Sequence, residues 1–96
     1  MKNVFDINDF VNIPTIQSTL VSLTEKVKAR RKEMKLSQKL LAQKSGVSYA
    51  SIRRFESTGD IALVSLLKIA NVLNCLGDFN VLFSNKIITN LKDLKV

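Results

Sequence analysis

Apolar residues recur three and four positions apart from about residue 15 to residue 73 of this chain, broken at a few sharply marked places. Leu20, Leu23, Val27 and Met34 lie at helical spacing with Lys and Arg on the other side, and Thr15 or Ser18 can cap the helix they define, which runs to about Lys35. Ser37 caps a second, short helix through about Ser45 that buries Leu41 and Ala42. Gly46 ends it, as a residue suited to the positive φ that follows a helix terminus. Only Val47 intervenes before Ser48 caps a third helix, Tyr49 to about Glu56, whose Ile52 and Phe55 face inward. Ser57, Thr58 and Gly59 then break the chain. A fourth helix begins near Ala62 with Leu63, Leu66, Leu67, Ala70 and Leu73 on one face. No strand pattern or internal repeat occurs in this stretch. The spacings predict an all-α fold of four to five helices.

The two ends read differently. Residues 1–15 form an arm with short apolar spots (Phe5, Phe10, Val11) among Asn and Asp, closed by the only proline, Pro14. Residues 16–76 make the helical domain and residues 77–96 a tail. Within the tail, Phe79, Val81 and Phe83 alternate as a strand would, whereas Leu76, Phe79, Leu82 and Phe83 fit one face of a short helix. Asp78, preceded by Gly77, favours the helix as a cap. Phe79, Val81, Leu82 and Phe83 can close the core of their own subunit or meet a second copy, and dimer contact is the expectation carried forward.

Ninety-six residues suit one small domain with one modest core. The chain has no histidine and one cysteine, which removes Ser-His-Asp and Cys-His nucleophiles, zinc sites built on His or paired Cys, and an intrachain disulfide. Paired carboxylates at helical spacing and a Gly-rich phosphate loop are missing too, so the sequence argues against an enzyme and calls for no metal or cofactor. Cys75, after an apolar helix, reads as a small core residue. The longest apolar stretch, from Ile61 to Leu73, is interrupted and too short to span a bilayer, and the N-terminus is no signal peptide. A cytoplasmic domain of prokaryotic style, without a membrane partner, is the expectation.

Charge changes the picture most. Residues 26–54 hold ten Lys and Arg against Glu33 alone, and the remaining residues carry none of the net +7. A cationic block of this kind fits a polyanion. A solvated basic helix face is the blander alternative. An interfacial membrane helix fits poorly, since the block lacks Trp and Phe anchors and helix breakers divide it. The same block contains two short helices joined by a tight Gly-containing turn, from Ser37 to Phe55, which is a helix-turn-helix unit. Ala42 is small where the helices approach, Val47 fills their angle, and the outward face of the third helix shows Tyr49, Ala50, Arg53 and Arg54. Such a helix fits the major groove of B-DNA, where Arg can read guanine with two hydrogen bonds. Lys28, Lys39 and Lys44 are candidates for the phosphate backbone.

The segment LSQKLLAQKSGVSYASIRRFE, residues 36–56, resembles the phage-repressor and Cro-like helix-turn-helix family, also called the Xre family. The likeness covers roughly residues 28–74 and implies a phage-repressor-like helical bundle that binds double-stranded DNA. It further implies that Gln38 touches phosphate, that Ser48 and Ser51 touch backbone or base, and that Tyr49, Ala50 and Arg54, with Arg53 beside them, lie at base-reading positions. Arg31 and Glu56 match a structural ion pair that ties the first helix to the third. The chain departs from that pattern in three places. Tyr49 and Ala50 replace a Gln pair, so no operator sequence carries over. Ser57, in Ser-Thr-Gly, is a poorer phosphate contact than the usual loop offers. Ala62 stands where a capping Ser is usual, which lets the fourth helix start earlier, capped by Asp60.

The tail, LGDFNVLF at 76–83 and TNLKDL at 89–94, is similar to a subgroup of Hip-type antitoxin regulators. Two functional classes follow. One is a homodimeric, sequence-specific repressor on a palindromic operator. The other is a protein-binding antitoxin that holds a kinase-like toxin and represses its own operon, with the arm and tail as docking candidates. The basic block favours the first, and the arm and tail favour the second.

Overall fold

The computed structural model describes residues 13–87. The arm residues Phe5, Phe10 and Val11 and the 89–94 segment lie outside the described residues. Among the described residues five helices follow in chain order: α1 (Ile16–Glu33), α2 (Gln38–Ser45), α3 (Tyr49–Thr58), α4 (Leu63–Val72) and α5 (Leu76–Asn80). Among the described residues there is no strand, so the fold is all-α and the strand option for 79–83 falls away.

Local chemistry accounts for most of the boundaries. Thr15 and Ser18 act together at the start of α1: the Ser18 N–H donates to Thr15 Oγ1 at 2.9 Å and the Thr15 N–H to Ser18 Oγ at 3.0 Å. Ser37 accepts from the Leu40 N–H and Ser48 from the Ser51 N–H, each at 3.0 Å, so both short helices have an orphan donor satisfied. Gly46 closes α2 at φ 78°. Gly59 closes α3 at φ 83°, two residues later than the Ser-Thr-Gly break suggests, because the Thr58 hydroxyl bonds back to the Arg54 carbonyl and tolerates a further half-turn. Asn74, at φ 60°, turns the chain between α4 and α5 and lets the Cys75 N–H reach the Ala70 carbonyl at 2.8 Å.

The core is built from Leu41 of α2, Val47 of the turn, Ile52 and Phe55 of α3, and Leu66, Ile69, Ala70 and Leu73 of α4 and its end. Val27, Leu36, Ala42, Ile61, Val72 and Cys75 pack around its edge. α2 packs against both α3 and α4 around this nucleus, α1 packs against α3, and α5 packs against α4.

Four expectations need correction. The inward face of α1 keeps the half-buried Leu20, Leu23 and Val27 but adds Thr24 and Arg31, both buried, and leaves Met34 exposed. Thr24 enters the interior because its hydroxyl donates to the Leu20 carbonyl at 2.8 Å, and Arg31 because a carboxylate meets it there. In α4, Ile69 is buried and Leu63 is exposed, since the first turn of the helix projects past the core. Asp60 does not cap α4: the N-cap is Ala62, without a side-chain bond, and the Asp60 carboxylate is engaged by Arg54 instead. Asp78 does not cap α5, whose N-cap is Cys75; it lies within the first turn.

Candidate nucleic-acid interface

Helix α3 has two unlike faces. Ile52 and Phe55 anchor it from behind, fully buried, and the capped turns at Ser48 and Gly59 fix both its ends. Its position relative to α1 is set by Arg31 and Glu56. Arg31 Nε donates to Glu56 Oε2 at 2.7 Å and Nη2 to Oε1 at 3.0 Å, while Nη1 donates to the Leu36 carbonyl at 2.8 Å. Gln38 Nε2 completes the set by donating to Glu56 Oε1 at 2.9 Å. Burial pushes the Glu56 carboxyl up, but the hydrogen bonds from Arg31 and Gln38, with the charges of Arg31 and Lys28, outweigh it and hold the group below the ordinary carboxylate value. Among the described residues no buried side-chain nitrogen or oxygen lacks a partner.

The opposite face of α3 is open. Tyr49, Ala50, Arg53 and Arg54 are all exposed there. Lys39 Nζ lies 5.5 Å and the Arg53 guanidinium 5.6 Å from the centre of the Tyr49 ring, so two cations approach the phenol. Next to it Gln38, Ala50, Arg53, Arg54 and Ser57 line a shallow concavity. Ala50 has only a methyl group at its middle, which lets a partner approach the helix backbone. Arg54 points out beside it with Nη2 2.6 Å from Asp60 Oδ2.

The remaining candidates sit at varied depths. Ser48 accepts the cap bond and donates to Ser51 Oγ at 2.8 Å, so Ser51 keeps its own hydroxyl proton for another acceptor. Ser57 Oγ donates to the Arg54 carbonyl at 3.2 Å. Lys39 and Lys44 are exposed on α2, whereas Lys28 is half-buried. Phe79 is half-buried; Val81, Leu82 and Phe83 are exposed, Phe83 completely.

Sequence reasoning gave Asp60 and Gly59 other roles, a helix cap and a chain break, and missed what they do beside α3 and α1. Asp60 carried a local signal, a carboxylate just past the end of the helix that bears Arg54. Gly59 carried none, because its second role depends on a remote helix: a Cβ there would lie 2.7 Å from Leu20 Cγ on α1.

A capped helix held from behind, with an uncovered face of Arg, Tyr and Ala beside a tight turn, is the geometry of a groove reader. Residues 27–79, more than half of the chain, match the family model described as helix-turn-helix. The chain belongs to this family. It is of the Xre/Cro type and is a DNA-binding transcription regulator; the family is a regulatory one rather than a family of enzymes. No curated protein and no solved structure matches the chain. Among the described residues no helix is long and apolar enough to cross a membrane.

Proposed function

We propose that this helix-turn-helix regulator is a sequence-specific repressor that works as a homodimer on a palindromic operator, and that it is the autoregulating antitoxin of a Hip-type toxin–antitoxin operon. The observation that carries the DNA reading is the outer face of α3, where four side chains are exposed on a helix buttressed by a buried, hydrogen-bonded ion pair. In this reading Tyr49, Ala50, Arg53 and Arg54 face base edges. Lys28, Gln38, Lys39, Lys44, Ser48, Ser51 and Ser57 face the sugar-phosphate backbone. Gln38 has a second amide proton beyond the one given to Glu56, which suits it to a phosphate oxygen.

Dimerisation is argued from apolar exposure. One recognition helix covers a half-site, and two related by a dyad would lie about 34–36 Å apart, one turn of DNA. Val81, Leu82 and Phe83 leave a water-exposed apolar run on the tail, which a second copy would cover. The antitoxin role rests on the tail's likeness to Hip-type regulators and on the partner such regulators take, a kinase-like toxin. A stand-alone, phage-type repressor without a toxin is the second reading, favoured by the family match, which stops at residue 79.

Selection of duplexes from a randomised pool tests the DNA reading: a two-fold symmetric sequence should be enriched, and absence of enrichment overturns it. Sedimentation of the Val81→Ser/Phe83→Ser variant tests the seam, which is wrong if the mass stays dimeric. Co-purification with the product of the neighbouring gene decides between the two roles. Retention of a kinase-like protein supports the antitoxin, and its absence at low salt leaves the stand-alone repressor.

A further inference from the structure

We infer that Asp60 is a specificity-determining residue: its carboxylate restrains Arg54 from binding any passing phosphate and leaves the guanidinium to a neutral base edge. The inference rests on the DNA-binding reading above. Arg54 and Asp60 are 69% and 61% exposed, and an ion pair so open to water contributes little to folding. Its effect must be sought in what Arg54 meets from outside.

The backbone keeps the pair in register. Thr58 Oγ1 donates to the Arg54 carbonyl at 2.7 Å and accepts from the Asp60 N–H at 3.1 Å, and Gly59, left-handed between them, closes the turn. Asp60 is thereby tethered through Thr58 to the residue whose side chain it faces. It has no competing duty as a cap, because α4 begins at Ala62 without a side-chain bond. Among the described residues Arg54 is the ion-pair partner of the Asp60 carboxylate.

Charge then separates the two kinds of DNA contact. A phosphate approaching Arg54 brings a negative charge toward Asp60 and is opposed by it. Guanine O6 and N7 are neutral acceptors and meet no such opposition. The guanidinium has five N–H donors, and the closest approach of the carboxylate involves Nη2, so a base edge can share the group. A carboxylate at this position, on the rim of a face otherwise lined with Arg53, Arg54 and Lys39, trades general affinity for discrimination.

The test compares affinities for the duplex that the wild-type protein enriches from a randomised pool and for a scrambled duplex of equal composition, each at several salt concentrations. Asp60→Asn removes the charge but keeps the backbone bond to Thr58, and circular dichroism checks that it folds. It should tighten binding to the scrambled duplex about fivefold. Its plot of log affinity against log salt should be steeper by about one phosphate contact. The enriched duplex should gain less, so the ratio falls; Asp60→Glu should restore it. In an Arg54→Ala background Asp60→Asn should leave the ratio unchanged. Equal gains on both duplexes, or the same fall in ratio without Arg54, would overturn the inference. Enrichment of no duplex by the wild type defeats the DNA reading and the inference with it, whereas enrichment with an unaltered ratio in Asp60→Asn defeats the inference alone.

Discussion

Arg31–Glu56 and Arg54–Asp60 are both arginine–carboxylate pairs that involve α3, but they sit in opposite surroundings. Arg31 and Glu56 are 9% and 5% exposed and join residues 25 positions apart, with Gln38 and the Leu36 carbonyl taking up further hydrogen-bonding capacity. Arg54 and Asp60 stand in water across a single turn. Inside, the loss of hydration makes every unmade bond costly, so the pair is valuable chiefly as a complete network that fixes α1 against α3. Outside, water competes for both charges, and the pair holds a side chain loosely enough to be taken over by a ligand. The same chemistry serves as a strut in one place and as a restraint in the other. Burial decides which.

The largest expected effect breaks the strut. Glu56→Ala leaves the Arg31 guanidinium buried without its carboxylate and should cost about 3–5 kcal/mol in denaturant unfolding. A loss below about 1 kcal/mol would mean that the pair is no more than a surface contact. Acid should weaken the same pair without mutation. The Glu56 pKa is lowered in the folded chain, so the unfolded chain binds the proton first. The stabilisation is therefore complete above the unfolded value of about 4.5 and is lost as the pH falls through the lower folded value. Unfolding curves between pH 5 and pH 2 should show that decline, and Glu56→Gln should flatten it.

Arg54→Ala should do the reverse of Glu56→Ala. It should leave the midpoint of thermal unfolding nearly unchanged and weaken binding to the preferred duplex by about 1–3 kcal/mol, with little effect on random DNA. Equal losses on both duplexes would show Arg54 to be a phosphate contact. The smallest effect is expected at Lys39, exposed on α2. Lys39→Ala should weaken all duplexes alike and reduce the salt slope by about one. Any sequence dependence at Lys39 would mean that the Tyr49 ring it approaches is part of the base-reading surface.

Much of the fold was legible because its signals are local. Ser37 and Ser48 cap helices through N–H groups three residues ahead, and Gly46 takes a left-handed conformation at the turn; neither depends on the rest of the molecule. The outer face of α3 was legible for the same reason, since Ile52 and Phe55 declare its buried side and leave Tyr49, Ala50, Arg53 and Arg54 on the other. The α1 stripe was legible at Leu20, Leu23 and Val27 but not beyond them, because apolarity is a poor guide where polar groups find partners. Thr24 is satisfied by its own helix and Arg31 by Glu56, so both go inside while Met34, just past the helix end, stays out.

Spacing and capping chemistry alone determined that this chain is helical, where its two short central helices begin, and which face of α3 is left for a partner. These are properties of neighbouring residues, governed by the helical repeat and by backbone groups within one turn. Tertiary structure decided that Gln38 is shared with Glu56, that Asp60 faces Arg54 rather than capping α4, and that Gly59 must lack a side chain where Leu20 crosses it. Each of these is a choice between competing partners. Such choices turn on which groups the fold brings within about 3 Å of one another, and no periodicity along the chain records that.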